Sequence, residues 1–240
     1  EKHKYEVYYV GILFILVDIL IYISGERTSF FFLNLSTIFI IILIKEYQKF
    51  RLITFLIALL LIVGLTLSSD KLSNRMIKGP VQSMGLVKNA QSKNIFTPSH
   101  DSLIKTAFNM FKDKPILGHG PKMFRKICSN EKYATGVSAC MTHPHNFYVQ
   151  LLAETGIIGF LFLLISFFYV LYCGFMQLKS ILFKQKRFLT DYQVCLLAGI
   201  LITVWPFAPN GNFFHNWLMI TYSLPVGFYL QSIYTKKKLL

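Results

Sequence analysis

The stretch Thr142-His143-Pro144-His145-Asn146-Phe147-Tyr148-Val149-Gln150-Leu151-Leu152-Ala153-Glu154-Thr155-Gly156 decides how the rest of the chain is read. It leads from a polar loop into an apolar run in which no Asp, Glu, Lys or Arg occurs from 155 to 178. A helix crossing a bilayer needs roughly 17–25 predominantly apolar residues, so a membrane span is placed there. Read as a helix from about Asn146, the residues Asn146, Gln150 and Glu154 recur every four positions and form one polar stripe on an apolar face. Glu154 then falls at the outer lip of the membrane. Two imidazoles, an amide and a carboxylate gathered at that lip make a candidate site.

The composition around this stretch fixes the class. With 54% hydrophobic, 16% aromatic and only 15% charged residues, the chain is not an ordinary soluble domain. It reads as an all-α polytopic membrane protein. The net charge of +14 does not indicate nucleic acid, because the lysines cluster at the ends of apolar runs and in one loop, with no basic face interleaved with aromatics. Apolar runs at 7–24, 30–44, 52–67, 147–178, 192–207 and 213–233 predict about six transmembrane helices. The last two are one uncharged segment divided by a turn containing Pro206, Pro209, Asn210, Gly211 and Asn212. Three parts follow: helices within 1–69, a large loop containing short helices at 70–145, and helices with a basic tail at 146–240.

Lys45, Lys49 and Arg51 follow the second run, Lys179, Lys184, Lys186 and Arg187 the fourth, and Lys236, Lys237 and Lys238 the sixth. If the spans alternate, these clusters share one side, which the positive-inside rule makes cytoplasmic. The loop at 70–145 is then extracytoplasmic. The chain begins at Glu1 without a secretory signal pattern and is expected to be the C-terminal portion of a longer or processed protein.

Within this frame several residues stand out. Asp18 lies inside the first span, where an acid is either functional or a structural partner for a neighbouring helix. Arg27, in the outer turn Ser24-Gly25-Glu26-Arg27-Thr28-Ser29, offers a planar fork to a phosphate or carboxylate, or else anchors the turn and pairs with Glu26. Residues 70–98 show no clear period and read as mostly irregular. Leu103, Ile104, Ala107, Phe108 and Phe111 follow helical spacing, with Ser99 or Asp101 as the cap and Pro115 as the stop. That amphipathic helix is expected to pack on the outer face of the bundle or lie in the interface. Gly118 and Gly120 permit a tight turn that exposes backbone N–H groups.

Cys128 and Cys140 are the loop's only cysteines, and on an oxidising face they are expected to form a disulfide. Cys173 and Cys195 fall in or beside spans and read as buried free thiols. A metal site built from Cys128, Cys140, His143 and His145 fits no standard zinc spacing. His143 and His145 themselves suit a metal pair, a base, or a capping turn. His215 and Asn216, at the outer start of the last run, are further candidates for the same cleft.

These residues resemble the O-antigen ligase and O-antigen polymerase family of bacterial envelope membrane proteins. The resemblance rests on His143-Pro144-His145-Asn146 leading into Gln150-Leu151-Leu152-Ala153-Glu154-Thr155-Gly156. It also rests on Phe111-Lys112-Asp113-Lys114-Pro115-Ile116-Leu117-Gly118-His119-Gly120-Pro121 and on the Ser24-Gly25-Glu26-Arg27-Thr28 turn. Family members usually have about twice as many spans, in keeping with a C-terminal portion. One departure is that His100 and Asp101 stand where the family often has an arginine, near the start of the loop's amphipathic helix.

The resemblance implies a protein of the bacterial inner membrane that transfers a glycan from undecaprenyl diphosphate to a sugar hydroxyl. The acceptor would be lipid A–core for a ligase, or another carrier-linked repeat for a polymerase. No cofactor and no nucleotide sugar are implied. Arg27 with Arg75 or Arg125 would hold the diphosphate. His145, with His143 second, would be the base. Asn146, Gln150 and Glu154 would orient that base or bind sugar hydroxyls. Inversion by direct displacement is the expected course. A transporter or flippase of polyprenyl-linked glycans is the competing class, but it should show internal repeats with helices broken near mid-membrane. No such repeat is visible.

Overall fold

The computed structural model describes residues 2–86 and 96–238. Among the described residues the chain is helical, without strands. Its helices are α1 (Lys2–Ser24), α2 (Arg27–Leu43), α3 (Gln48–Ser68), α4 (Asp70–Ser73), α5 (Gly79–Ser83), α6 (Pro98–Asp113), α7 (Phe124–Ile127), α8 (Phe147–Leu182), α9 (Asp191–Thr203) and α10 (Asn216–Lys238). A π turn, Asn74–Lys78, joins α4 to α5.

Among the described residues three segments are long and apolar enough to cross a membrane: Tyr5–Ser24, Gln48–Ser68 and Phe147–Leu182. Arg27–Leu43 and Asp191–Thr203 are apolar but shorter, and α10 carries Pro225 in its interior. Each of the six apolar runs thus becomes a helix, and three of the six have the length and apolarity of a span by themselves.

The core is built by α8 against α2, α9 and α10. Leu43, Phe147, Leu151, Phe167, Val170, Leu197 and Tyr229 are among its buried residues. Asp18 is fully buried, and Asn34 of α2 donates to its Oδ1 at 2.9 Å. This geometry fits the structural-partner reading, with an amide tying α1 to α2. At the opposite end of α2, Arg51 donates to the Ile44 carbonyl at 2.6 Å and Gln48 to that of Ile41 at 2.8 Å. These bonds satisfy carbonyls that a helix C-terminus otherwise leaves bare.

The outer segment departs from expectation at three places. Residues 70–83 are helical rather than irregular: Ser69 ends α3 in an extended conformation, and its hydroxyl accepts from Leu72 N–H to start a new turn. The part of the expected irregular stretch at 87–95 lies outside the described residues. Helix α6 begins at Pro98 with Thr97 as the flanking residue, not at Ser99 or Asp101, because a proline in the first turn loses no helix hydrogen bond. Leu103, Ala107 and Met110 turn inward against Phe124, Cys128, Tyr133 and Ala153, whereas Phe108 is exposed. Cys173 is buried as expected, but Cys195 is an exposed thiol, because its position on α9 faces away from the tightly packed side formed by Val194, Leu197 and Ala198.

The third departure shapes the site. Helix α8 is not continuous: Gly156 has φ 67 and ψ −159, so a short outer helix (147–155) meets a long inner one. Residues 115–120 lie along the break. Ile157 N–H donates to the Pro115 carbonyl at 2.8 Å, His119 N–H to Ala153 at 3.1 Å, and Gly120 N–H to Glu154 at 2.8 Å. The two backbones approach so closely that a Cβ on Gly118 would lie 2.4 Å from the Glu154 carbonyl carbon, and one on Gly156 would lie 2.2 Å from the Ile116 oxygen. Only glycine fits at either position. The Ala153 and Glu154 carbonyls and the Ile157 N–H at the kink are therefore satisfied by the loop.

Candidate functional site

The site begins with the turn before α8. His145 has a left-handed backbone, φ 56, which for a residue with a side chain costs roughly 1–3 kcal/mol and persists only where the surroundings hold it. Asn210 N–H donates to the His145 carbonyl at 2.9 Å. Asn146 caps α8 by accepting from Val149 N–H at 3.1 Å, and its amide donates to the Pro206 carbonyl at 2.8 Å. The loop between α9 and α10 therefore fixes the histidine turn from one side.

The polar stripe extends that clamp inward. The Gln150 amide donates to Glu154 Oε2 at 2.9 Å and to Asn212 Oδ1 at 2.8 Å, and Gln150 Oε1 accepts from Phe213 N–H at 2.9 Å. Glu154 Oε1 accepts from Phe124 N–H at 2.7 Å. Gln150 and Glu154 are each only 1% exposed. The stripe is thus an interior brace: it holds the 206–213 loop on one side and the start of α7, next to Arg125, on the other. Asn146, Gln150 and Glu154 are all buried, so the stripe leaves no exposed polar group along its length. Gly118 and Gly120 are equally committed, since their N–H groups donate to Lys114 and Glu154 carbonyls rather than outward. His119 is structural, with its Nε2 at 3.0 Å from the Met110 carbonyl and its ring against Tyr133.

Cys128 and Cys140 form a disulfide, with Cα atoms 5.0 Å apart. With both sulfurs bonded to each other, neither is a thiolate that could ligate a metal with His143 and His145. The segment they close is seated on α6 by Asn109, which donates to the Tyr133 carbonyl and Thr135 hydroxyl, and by Asp113, which takes Lys132 and the Tyr133 hydroxyl.

What faces outward is a row of imidazoles. The His143 and His145 rings lie 4.2 Å apart between centroids, and His100, in the first turn of α6, meets His145 edge-on at 5.6 Å. The His143 ring is engaged at both nitrogens: Nε2 is 3.3 Å from the Asn210 carbonyl and Nδ1 is 2.9 Å from the Thr142 hydroxyl. A carbonyl only accepts, so Nε2 carries the proton and Nδ1 accepts from Thr142. His100 Nδ1 pairs with the Thr97 hydroxyl at 2.8 Å.

Burial first, then the His145 ring and the charge of Arg125, push His143 down to about 4 against an opposing pull from the Asn210 carbonyl. Burial also lowers His145. His100 is lowered by burial, by His145 and by the charge of Arg27. All three imidazoles are therefore biased toward the neutral form that can accept a proton.

The arginines flank this row. Arg27 begins α2 and lies near enough to His100 to act on its ionisation; Arg125 does the same to His143. Arg75, on the π turn, crosses the α1–α2 turn so closely that a Cβ on Gly25 would lie 1.9 Å from its Nε. All three are exposed, and among the described residues no carboxylate lies within ion-pair distance of any of them. Arg27, His100, His145, His143 and Arg125 are thus linked pair by pair, with Arg75 against Gly25.

This group of imidazoles and arginines beside apolar helices coincides with a sequence match. The O-antigen ligase family profile matches residues 11–164, well over half of the chain. The chain belongs to the O-antigen ligase family. Membership places it among bacterial membrane proteins of envelope-glycan assembly that carry out glycosyl transfer. The matched region holds Arg27, Arg75, His100, Arg125, His143 and His145, whereas the 206–213 loop that clamps them lies beyond it. No curated protein and no solved structure shows significant similarity to the chain.

Three contributing residues are not legible as such in the sequence: His100, Asn210 and Asn212. His100 was noted only as a departure from a family pattern, and its ring contact with His145 joins positions far apart in the chain. Asn210 and Asn212 read as turn residues. Their position between Pro209 and Phe213, opposite the histidines on the outer side, was the available signal. His215, in contrast, is exposed at the head of α10 and forms no ring contact with the three histidines among the described residues.

Proposed function

We propose that this family member transfers a glycan from undecaprenyl diphosphate to a sugar hydroxyl on the outer side of the inner membrane, with lipid A–core as the acceptor. In this reading α1, α2, α3, α8, α9 and α10 all span the bilayer, and residues 70–145 face the periplasm. Helices α2 and α9 reach across by extending into their polar flanks. The C-terminal tail is cytoplasmic.

The observation that carries the reading is the His145 ring, lowered toward its neutral form by burial and set between His100 and His143, on which Arg27 and Arg125 act. A neutral imidazole takes the proton of the attacking hydroxyl as its oxygen bonds to the anomeric carbon. On the far side of that carbon the bond to the diphosphate oxygen breaks, and the leaving group departs as undecaprenyl diphosphate. Arg27, Arg75 and Arg125 supply fixed positive charge where negative charge grows. His143, hydrogen-bonded at both nitrogens, orients His145 rather than accepting the proton. Attack opposite the leaving group inverts the anomeric configuration.

The test is His145→Ala in the full-length protein at matched expression, with surface polysaccharide read on a gel. Loss of glycan from lipid A–core while carrier-linked polymer accumulates supports the ligase. Loss of the ladder with single-repeat caps retained assigns a polymerase instead. An unchanged ladder refutes His145 as the base.

A further inference from the structure

At the end of the helices opposite Arg27 a cavity of about 740 Å³ opens between α1, α2, α3 and α9. That volume falls within the roughly 300–1,000 Å³ of small-molecule sites. The lining divides into two zones. Near the helix ends it carries Glu6, Glu46, Arg51 and Asp191; further along the helices it carries Val10, Phe14, Thr37 and Ile40. From Ile44 to Thr37 the wall follows α2 for about 10 Å, at 1.5 Å per residue. The hydroxyls along it are engaged, Thr37 with the Leu33 carbonyl at 2.8 Å and Thr54 with that of Arg51 at 2.9 Å. A charged mouth over an apolar interior is the shape of an amphiphile.

The charges at the mouth are unequally satisfied. Asp191 is paired with Arg187. Arg51 gives one amino group to the Ile44 carbonyl at 2.6 Å, but its Nε is buried and makes no hydrogen bond. Glu46 is exposed, and among the described residues no cation lies within ion-pair distance of it. Glu46 and Arg51 are near enough for the carboxylate to act on the guanidinium.

We infer that this cavity binds an aminophospholipid, with the phosphate at Arg51, the ammonium at Glu46 and the first methylenes of an acyl chain along α2. Charge selects this occupant. A lipid with only a phosphate would satisfy Arg51 and set a second anion beside Glu46. A zwitterion with a primary ammonium supplies an acceptor to the bare Nε and a donor to the carboxylate at once. A choline headgroup has no N–H and gives Glu46 no hydrogen bond. In the topology proposed above this end of the bundle lies in the cytoplasmic leaflet, away from the imidazoles, so the site is separate from glycosyl transfer.

Cys195 supplies the reporter. It is an exposed thiol lining the cavity, whereas Cys173 is buried and Cys128 is bonded to Cys140. Full-length protein in phosphatidylcholine nanodiscs is supplemented with phosphatidylethanolamine or phosphatidylglycerol, and alkylation of Cys195 by a small maleimide is followed by mass spectrometry of its peptide. Phosphatidylethanolamine should slow alkylation by about fivefold or more, and phosphatidylglycerol should leave it within about twofold of phosphatidylcholine alone. Glu46→Gln, at an exposed position, should abolish the protection, and Glu46→Lys should transfer it to phosphatidylglycerol. Equal protection by both added lipids would reduce the cavity to ordinary lipid-facing surface and overturn the assignment. Protection by neither, or a Glu46→Lys variant that still prefers phosphatidylethanolamine, would overturn it as well.

Discussion

The imidazole of His143 lies 4.2 Å from that of His145; His143 is hydrogen-bonded at both nitrogens, whereas His145 is held by Asn210 at its backbone carbonyl and its ring also feels the Asn210 backbone. His145→Ala is expected to lower turnover by about 100-fold or more, the usual cost of losing a positioned base. His143→Asn, which keeps polar groups near Asn210 and Thr142, should cost much less. Purified protein with a carrier-linked donor decides it, and the reverse ranking would exchange the two roles.

The same burial makes the turn sensitive to acid. Unfolded, His143 binds its proton near 6.5; folded, only near 4. Between those values the unfolded chain holds more protons, so stability is full above about pH 6.5 and declines as the pH falls toward 4. A fall in Tm between pH 7 and pH 5 that is reduced by His143→Asn would bear this out. A Tm with the same pH dependence in both proteins would contradict it.

Glu154→Ala removes a buried acceptor from Phe124 N–H and a partner from Gln150. Stranding those groups is expected to cost about 1–3 kcal/mol, while Glu154→Gln, which keeps an oxygen acceptor, recovers part of it. Thermal unfolding in detergent provides the readout. Because Arg125 follows Phe124 directly, the Ala variant should also weaken donor binding.

These hydrogen bonds also show how far the sequence was legible. The four-residue spacing of Asn146, Gln150 and Glu154 and the pairing of Cys128 with Cys140 follow from local pattern and composition, and the structure contains both. The direction of the stripe did not follow, because an outer polar stripe has the same spacing whether it lines a cleft or braces a loop. Gly156 was equally opaque. A glycine in an apolar run looks like a tolerated helix residue until a second backbone is found against it, and here that backbone comes from residues 115–120.

Gly156→Ala is thus expected to be far more damaging than its size suggests, since the added carbon would meet the Ile116 oxygen in a backbone conformation that alanine rarely adopts. Gly118→Ala should behave alike. Gly64→Ala, with nothing within 4 Å of the new methyl, serves as the control and should leave folded yield unchanged. Equal yields for all three would refute the close approach.

Removing the Cys128–Cys140 link with Cys128→Ser and Cys140→Ser together should destabilise the protein by about 3 kcal/mol, as expected for a loop of this length. Reductant should lower the Tm of the wild type and leave that of the double variant unchanged.

The seam between residues 115–120 and the kink of α8 has a practical corollary for anyone wishing to study residues 70–145 in isolation. Excision at 70–145 would strip Pro115 of its Ile157 donor and leave the His119 and Gly120 amides without the carbonyls of Ala153 and Glu154. The excised piece would lose the template on which its glycine turn is formed. Crystallisation fragments and grafts onto other scaffolds therefore need the outer turns of α8 as an integral strand of the same unit.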